Sequence, residues 1–571
     1  LNNKYLPLLL ILILATFLSF FNYRGIDFSD EYNYARNAWM ISNGTFELSP
    51  SVFKNRFGLL IPMAGFVKLL GVEPFVFPIW SFIGFVILLI SNFYFTRIVD
   101  PNIAIISTLF LALNPLLLEL SADVSQDIIM TAFATISVFM LWRIQDMPNH
   151  FSYRWGILFS FILFFAFATK IGVFYIGPFF LFLFIKDFLR RRNTKFWIGA
   201  ILSGGLLLFI YFYIYYHFTG NPFYRINAIE GEFNVHYESY GSRPTWEFWT
   251  RMTIFPIPFL LKSYGLGVFS MLTGLWVFMF FNTKSDSPKI SSKAVSFNCF
   301  KRKIYFELSY FPNFLLLYFL FLLFIHLFGT TSLKYYNPLI LSERMWLLLV
   351  PPASLLSVFV LEKVLPYIKG YNKNIVLIYF GMIIGLCALG LYLTKDQYPW
   401  FILPLTVSML LLIWLKYKSY AFFKNKKYIP HLLVLLPFLI LQLSVISNYK
   451  ENTPFFFQKD FLESLKPNET HLIYTDRSLP DMYDIYYEFL PPENIEYRRW
   501  ETADSSDISS FDHFYVIYDQ KKTIWLAEFV GLKVPDFVKD KSIGRYILQN
   551  EYLEIKELNI DDLKRIKRVE E

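Results

Sequence analysis

Two carboxylates, Asp30 and Glu31, stand side by side in GIDFSDEYNYARNAWMISNG (residues 25–44), just after the first apolar run of the chain. A third acid, Asp127, closes the turn SADVSQD and is followed at once by apolar residues. Cations occupy comparable places: Arg56 heads NRFGLLIPMAGFVKLLG, and Lys334 and Arg344 flank the start of MWLLLVPP. A carboxylate can take the proton of an attacking hydroxyl, and carboxylates can hold a divalent cation. A guanidinium can hold a phosphate through paired hydrogen bonds. Plainer uses exist for each. Asp30 and Glu31 suit the first turn of a helix, Asp127 can cap one, and Arg56 and Arg344 can anchor to lipid headgroups. The choice depends on the elements that carry them.

Those elements are membrane spans. The chain has 571 residues, 55% hydrophobic and 20% aromatic, a composition outside the usual range of soluble domains. Apolar runs long enough to cross a bilayer recur along most of it, and the length rule gives about thirteen. They are Tyr5–Phe21, Phe75–Thr96, Ile103–Leu120, Asp127–Arg143, Trp155–Thr169, Ile171–Ile185, Phe196–His217, Phe255–Phe281, Tyr305–Phe328, Met345–Leu361, Ile375–Leu393, Trp400–Leu415 and His431–Ile446. The first run lacks a small-residue cleavage site and reads as a retained helix. Two cysteines, Cys299 and Cys387, give no disulfide framework or metal motif. The net charge of +8 lies in short inter-helix loops and is no sign of nucleic-acid binding. Heavy use of Lys, Asn, Ile, Phe and Tyr suggests an AT-rich bacterial source, hence a bacterial inner or plasma membrane.

Alternate loops hold the basic clusters: Arg143–Arg154, Lys186–Lys195, Lys284–Lys303, Lys363–Lys373 and Lys416–Lys427. Positive loops stay in the cytoplasm, so the N-terminus is expected inside. The opposite face then receives the first loop (residues 22–73), the turn at 119–127, the loops at 218–254 and 329–344, and the tail. The expected architecture is mainly α: a transmembrane domain over residues 1–446 and a small extracytoplasmic α/β domain over 447–571. In the tail, His471–Asp476, Asn494–Trp500 and His513–Asp519 read as strands, with helices at Phe456–Leu465 and Asp481–Leu490. No Gly-rich phosphate loop is visible there.

Asp30 and Glu31 thus open a short helix ending near Gly44, too polar to span and expected to lie in the interface. Tyr34, Ala38 and Ile41 are expected on its lipid side. The 218–251 loop mixes aromatic and charged residues, among them Arg225 and His236. Its rings suit sugar faces and equally an interfacial belt. His236 has no second histidine at metal-ligand spacing.

The order of these pieces resembles one superfamily: a first span, an outer Asp30-Glu31 pair with Tyr34 following, NRFGLLIPMAGFVKLLG, and a Pro-containing span leading through LNPLLLELSADVSQD to Asp127. This is similar to the GT-C glycosyltransferases of the protein O-mannosyltransferase type, which include bacterial lipid A aminoarabinose transferases. The resemblance implies a polyprenyl-phosphate sugar donor bound from within the membrane and a lipid, glycan or protein acceptor. It implies inverting transfer to an acceptor hydroxyl, with Asp30 as general base and Glu31 and Asp127, in the same catalytic group, orienting the sugar or acceptor or holding a metal. By position, Arg56, Arg344 and Lys334 take the donor phosphate, and Tyr34, Arg225 and His236 contact substrate. No cofactor is certain, and a divalent metal stays open. The Lys-Pro-Pro of close relatives is replaced here by Asn55-Arg56-Phe57-Gly58, and no Trp-Trp-Asp triplet of the oligosaccharyltransferases occurs. Three other classes compete. A transporter or flippase of lipid-linked saccharides calls for mid-span charges and broken repeats. A glycan ligase or polymerase calls for Arg- and His-rich outer loops. A scaffold calls for a dispensable Asp30.

Overall fold

The computed structural model describes residues 4–26, 30–145, 152–231, 244–282, 294–299, 302–307, 310–334, 336–368, 371–394, 399–417, 428–447, 454–475, 480–500, 510–520, 534–549, 553–563 and 565. They form two compact units. One comprises Leu1–Asn22, Glu47–Pro62 and Pro78–Ser447; the other comprises Tyr23–Phe46, Met63–Phe77 and Asn448–Glu571.

The first unit is a helical bundle. Among the described residues, nine helices are long and apolar enough to cross a membrane, and a bent pair makes a tenth. The shorter apolar helices Leu6–Asn22, Gly267–Met279 and Ile402–Tyr417 fall at the remaining expected spans. The spans are not equally enclosed. Gln126–Ile144 is 83% buried and Arg344–Val364 89%, whereas Thr194–Thr219 and Lys373–Leu393 are each 22% buried. The first two are therefore central, and Asp127 and Arg344 stand in their first turns. Polar residues inside the bundle pair with one another, as burial away from water demands. Ser19 Oγ meets Ser121 Oγ at 2.8 Å, and Asn22 donates to Gln442 Oε1 at 3.1 Å.

Two expected spans prove to be broken. Ile103–Leu120 is instead α5 (Pro101–Ala112) and α6 (Pro115–Ala122), bent by 59°. Pro115 cannot supply the backbone donor that a continuous helix needs. Asn114 restarts the helix by accepting from Leu117 N, and its amide donates to Gly265 O at 2.7 Å. Gly265 lies in the turn that splits Phe255–Phe281 into Pro256–Lys262 and Gly267–Asn282. A Cβ there would fall 2.5 Å from Leu116 Cβ, so only glycine permits the approach. Strands β1 (Ala294–Cys299) and β2 (Arg302–Glu307), an antiparallel hairpin, occupy a loop read only as basic from sequence.

The second unit is built on a five-stranded sheet of β3 (His471–Thr475), β4 (Ile495–Arg499), β5 (His513–Asp519), β6 (Arg545–Gln549) and β7 (Leu553–Leu558). The order is β4-β3-β5-β7-β6. β3 runs parallel to β4 and β5, while β7 is antiparallel to β5 and β6. Leu472, Tyr474, Trp500, Phe514, Val516, Phe537 and Leu558 make its core. The three strands expected from sequence are present, and β6 and β7 extend the sheet. The expected helix at Asp481–Leu490 is a 3-10 helix, Pro480–Tyr487, stopped by left-handed Glu488 (φ 57°) and Phe489 (φ 64°). Such backbone costs about 1–3 kcal/mol per non-glycine residue and persists only where its surroundings enforce it.

This unit also contains α2 (Asp30–Ser42). Gly44 (φ 73°) ends it as expected, with Asn43 N bonded to Trp39 O. Its environment differs from the interfacial reading. Tyr34 and Ala38, expected to face lipid, are fully buried in protein together with Tyr32 and Ala35. The segment leading into α2 is also held. Tyr23 packs edge-on against Phe456, and Gly25 (φ 86°) lies so close to the Phe455 ring that a Cβ would collide with it.

Candidate functional site

Asp127 sits in the first turn of α7 (Gln126–Ile144), whose N-terminus favours negative charge. The preceding turn is fixed by Ser81, whose hydroxyl accepts from Ser125 N at 2.9 Å. Asp127 is essentially buried and engages a different cation with each oxygen. Lys170 Nζ lies 2.5 Å from Oδ1 and Arg344 Nε 2.8 Å from Oδ2. A buried carboxylate needs such partners, since losing its hydration is otherwise prohibitive. Lys170 occupies the single-residue joint between the spans Ser152–Thr169 and Ile171–Leu189. Its ammonium also approaches Met345 Sδ at 3.5 Å.

Arg56 joins this cluster. It ends the 3-10 turn Val52–Asn55 and precedes α3 (Phe57–Leu70). The start of α3 packs against the residue before Lys170. A Cβ on Gly58 would collide with Thr169 Oγ1 and come within 2.6 Å of Thr169 N. Arg56 is near enough for its charge to act on Lys170. Burial, aided by Arg344 and Arg56, brings the Lys170 ammonium down to about 8 against the pull of Asp127. Two cations thus hold one carboxylate and a third acts on one of them, an excess of positive charge suited to an anion.

A second group of acids adjoins Arg344. Glu343 accepts from Tyr264 N at 3.3 Å, and the Tyr264 hydroxyl donates to Glu119 Oε2 at 2.5 Å. Burial raises the Glu343 carboxyl to about 7, and Glu119 adds to the shift. The loop before Glu343 is clasped twice. Glu230 accepts from Ser332 Oγ at 2.6 Å and from Leu333 N at 2.5 Å. The buried Arg251 donates to the carbonyls of Leu327, His326 and Leu339 at 2.5, 3.0 and 2.6 Å. These bonds hold the segment that delivers Arg344.

The structure thus brings together Asp127, Arg344 and Arg56 of the expected site residues. Arg225 is buried and already engaged: it donates to Phe167 O and Tyr211 Oη, both at 2.9 Å, and lies over the Phe167 ring. Lys334 is exposed, its backbone held by Ser332 Oγ. Asp30, Glu31 and Tyr34 belong to the second unit, the two acids in the first turn of α2 and Tyr34 buried. His236 lies outside the described residues. Among the described residues, no group of three His, Cys, Asp or Glu side chains is placed to hold a metal.

Lys170 was missed from the sequence. It falls in the gap between two apolar runs, and its signal is a lone cation at a face where the other basic clusters do not occur. An apolar cavity of about 400 Å³ lies between Ser152–Thr169, Gly177–Leu189 and Thr194–Thr219. Phe167, Val173 and Phe174, within four residues of Lys170 in the chain, line it together with Phe184 and Trp197.

Residues 60–215 match the family described as dolichyl-phosphate-mannose-protein mannosyltransferase. The fold of the whole chain is similar to that of ArnT from Cupriavidus metallidurans. The ArnT structure bound to undecaprenyl phosphate matches with a TM-score of 0.54 at 11% identity, over 96% of this chain and 97% of that one. The apo structure matches with a TM-score of 0.54 at 12% identity, over 97% and 98%. Sequence comparison with curated proteins gives no match. The family match thus covers residues 60–215, and the chain as a whole has a fold similar to that of ArnT.

Proposed function

We propose that this protein transfers a sugar from a polyprenyl-phosphate donor to an acceptor hydroxyl on a lipid, glycan or protein, at the extracytoplasmic face and with inversion. The observation that carries the reading is the pairing of Lys170 and Arg344 with the buried Asp127, with the charge of Arg56 acting on Lys170. The ArnT structure bound to undecaprenyl phosphate supports a donor of that class.

In this mechanism Asp30 accepts the acceptor's proton as its oxygen bonds to the anomeric carbon. The bond from that carbon to the phosphate oxygen breaks, and its electron pair leaves with the polyprenyl phosphate. The departing phosphate gains negative charge, which preorganised cations in a water-poor site stabilise by several kcal/mol. Lys170, Arg344 and Arg56 supply those cations. Asp127, held by two of them, keeps them oriented, and Glu31 assists Asp30. The apolar cavity lined by Phe167, Val173 and Phe174 takes isoprenoid units of the donor. The extracytoplasmic placement rests on the distribution of the basic loops.

The test is turnover of a panel of polyprenyl-phosphate sugars by the purified protein and by its Asp30→Asn variant. Release of polyprenyl phosphate by the wild type, and a loss of at least a hundredfold in the variant, is the expected result. Equal turnover by the variant removes Asp30 as base. No turnover with any polyprenyl-phosphate sugar removes the donor class.

A further inference from the structure

Among the described residues, Phe489 is one of the few non-glycine positions with left-handed backbone, and the residue before it is another. Its amide is tied back to Asp484 O at 2.8 Å, and Leu490 N bonds to Tyr487 O at 2.9 Å. The turn drives the Phe489 ring into protein, where it is 5% exposed. The ring meets three aromatic residues: Trp39 at a centroid distance of 5.3 Å, Tyr32 at 6.0 Å and Phe77 edge-on at 6.1 Å. Tyr32 and Trp39 stand seven residues apart on α2, hence on one face two turns apart. Ala35, between them on that face, is fully buried. The same 3-10 segment makes a polar tie, with the Tyr32 hydroxyl donating to Asp484 Oδ1 at 2.9 Å. Tyr32 directly follows Asp30 and Glu31.

From this geometry we infer that Phe489, with Asp484, is a positioning residue for the Asp30–Glu31 pair: the tail domain sets the placement of α2 through one aromatic plug. The inference rests on the proposed role of Asp30 for its catalytic consequence, but not for its structural content. Edge and offset contacts of this kind fix ring geometry more tightly than aliphatic packing does. Small displacements of a catalytic group cost rate far more than they cost substrate binding. The tail domain is therefore part of the catalytic apparatus through its grip on α2.

The experiment uses the full-length protein in nanodiscs and two readouts. The first is amide hydrogen exchange across residues 30–42, with residues 126–144 as the internal reference. Phe489→Ala is expected to raise exchange in α2 by tenfold or more and to leave the reference helix unchanged. Phe489→Tyr, which keeps the ring, is expected to restore protection. Glu488→Gly relaxes the backbone while keeping the ring, and is expected to protect α2 as the wild type does. The second readout is transfer from the polyprenyl-phosphate sugar that supports wild-type turnover. Phe489→Ala is expected to lower kcat ten- to a hundredfold with donor KM within threefold. Phe489→Tyr is expected to restore kcat.

Unchanged exchange in α2 for Phe489→Ala overturns the inference, as does equal loosening of α2 and the reference helix. Loosened α2 with unchanged kcat, while Asp30→Asn is inactive, overturns the positioning role. Loosened α2 alongside a fully active Asp30→Asn upholds the mechanical link and refutes Asp30 as base, so the two failures are distinguishable.

Discussion

Lys170→Met removes one of the three clustered cations and leaves an unbranched apolar stem in the same space. The lysine side chain is 13% exposed, so its bond to a bound phosphate would be charge-assisted and weakly screened. Hydrogen bonds to charged groups contribute about 1.5–3 kcal/mol. At about 1.4 kcal/mol per tenfold change, undecaprenyl phosphate should bind the variant roughly 10- to 150-fold more weakly. The pH dependence follows from the lysine's lowered pKa of about 8 against an ordinary 10.5. For folding, the lowered value is a cost of the charged form. This group's contribution to stability is most favourable above pH 10.5 and declines as pH falls toward 8, below which the full cost is present. Phosphate binding has the opposite sign: it is full below pH 8 and weakens as the ammonium loses its proton above it. Lys170→Arg keeps its charge throughout and should show no such limb. Calorimetric titration of undecaprenyl phosphate into protein in nanodiscs, from pH 7 to 9.5, reads both effects, since the phosphate is already largely dianionic across that range. Wild-type affinity in Lys170→Met at pH 7, or a flat wild-type profile to pH 9.5, would refute the assignment of Lys170 to the phosphate.

Asp127→Asn leaves Lys170 and Arg344 without their shared counter-ion. Breaking a buried pair in this way costs about 3–5 kcal/mol, so thermal unfolding should shift sharply downward while undecaprenyl phosphate binds as well or more tightly. An unshifted unfolding curve with lost turnover would instead make Asp127 the reacting base. Gly58→Ala introduces a methyl group that collides with Thr169, and it should weaken phosphate binding by displacing Arg56. Gly65→Ala, where nothing lies within 4 Å, is its neutral control in the same titration. Asn114→Ala removes both the cap of α6 and the bond to Gly265 O. It should cost about 1–2 kcal/mol, measured as loss of thermal stability; an unchanged melting curve would mean that Pro115 alone sets the break.

The spans were legible because a bilayer demands long apolar runs and little else. Where helices break, the sequence was less explicit. Pro115 marks the bend in the third span, but the bond from Asn114 to Gly265 joins residues far apart in the chain. The Asp30–Glu31 helix was legible to its Gly44 cap. Its burial was not: Tyr34 and Ala38, on the face that suits lipid, are buried in protein, and Phe489, about 450 positions away, packs on the Tyr32–Trp39 face. Asp127 and Arg344 were singled out because ionisable residues at span ends need partners. Their mutual contact and the third member, Lys170, needed coordinates. Arg225 shows the converse: a cation among aromatic residues in a loop read as substrate-facing is occupied by Phe167 O and Tyr211 Oη. Strands β6 and β7 went unread because Arg545–Gln549 alternates only weakly, and pairing with β5 gives β7 its burial.

A cryo-EM structure of the protein in nanodiscs with undecaprenyl phosphate tests the central claim most directly. The expected result is phosphate density within hydrogen-bond distance of Lys170, Arg344 and Arg56, with the isoprenoid chain entering the cavity between Phe167 and Phe174. Phosphate density bound elsewhere, with Asp127 and its cations unchanged and unoccupied, would contradict it.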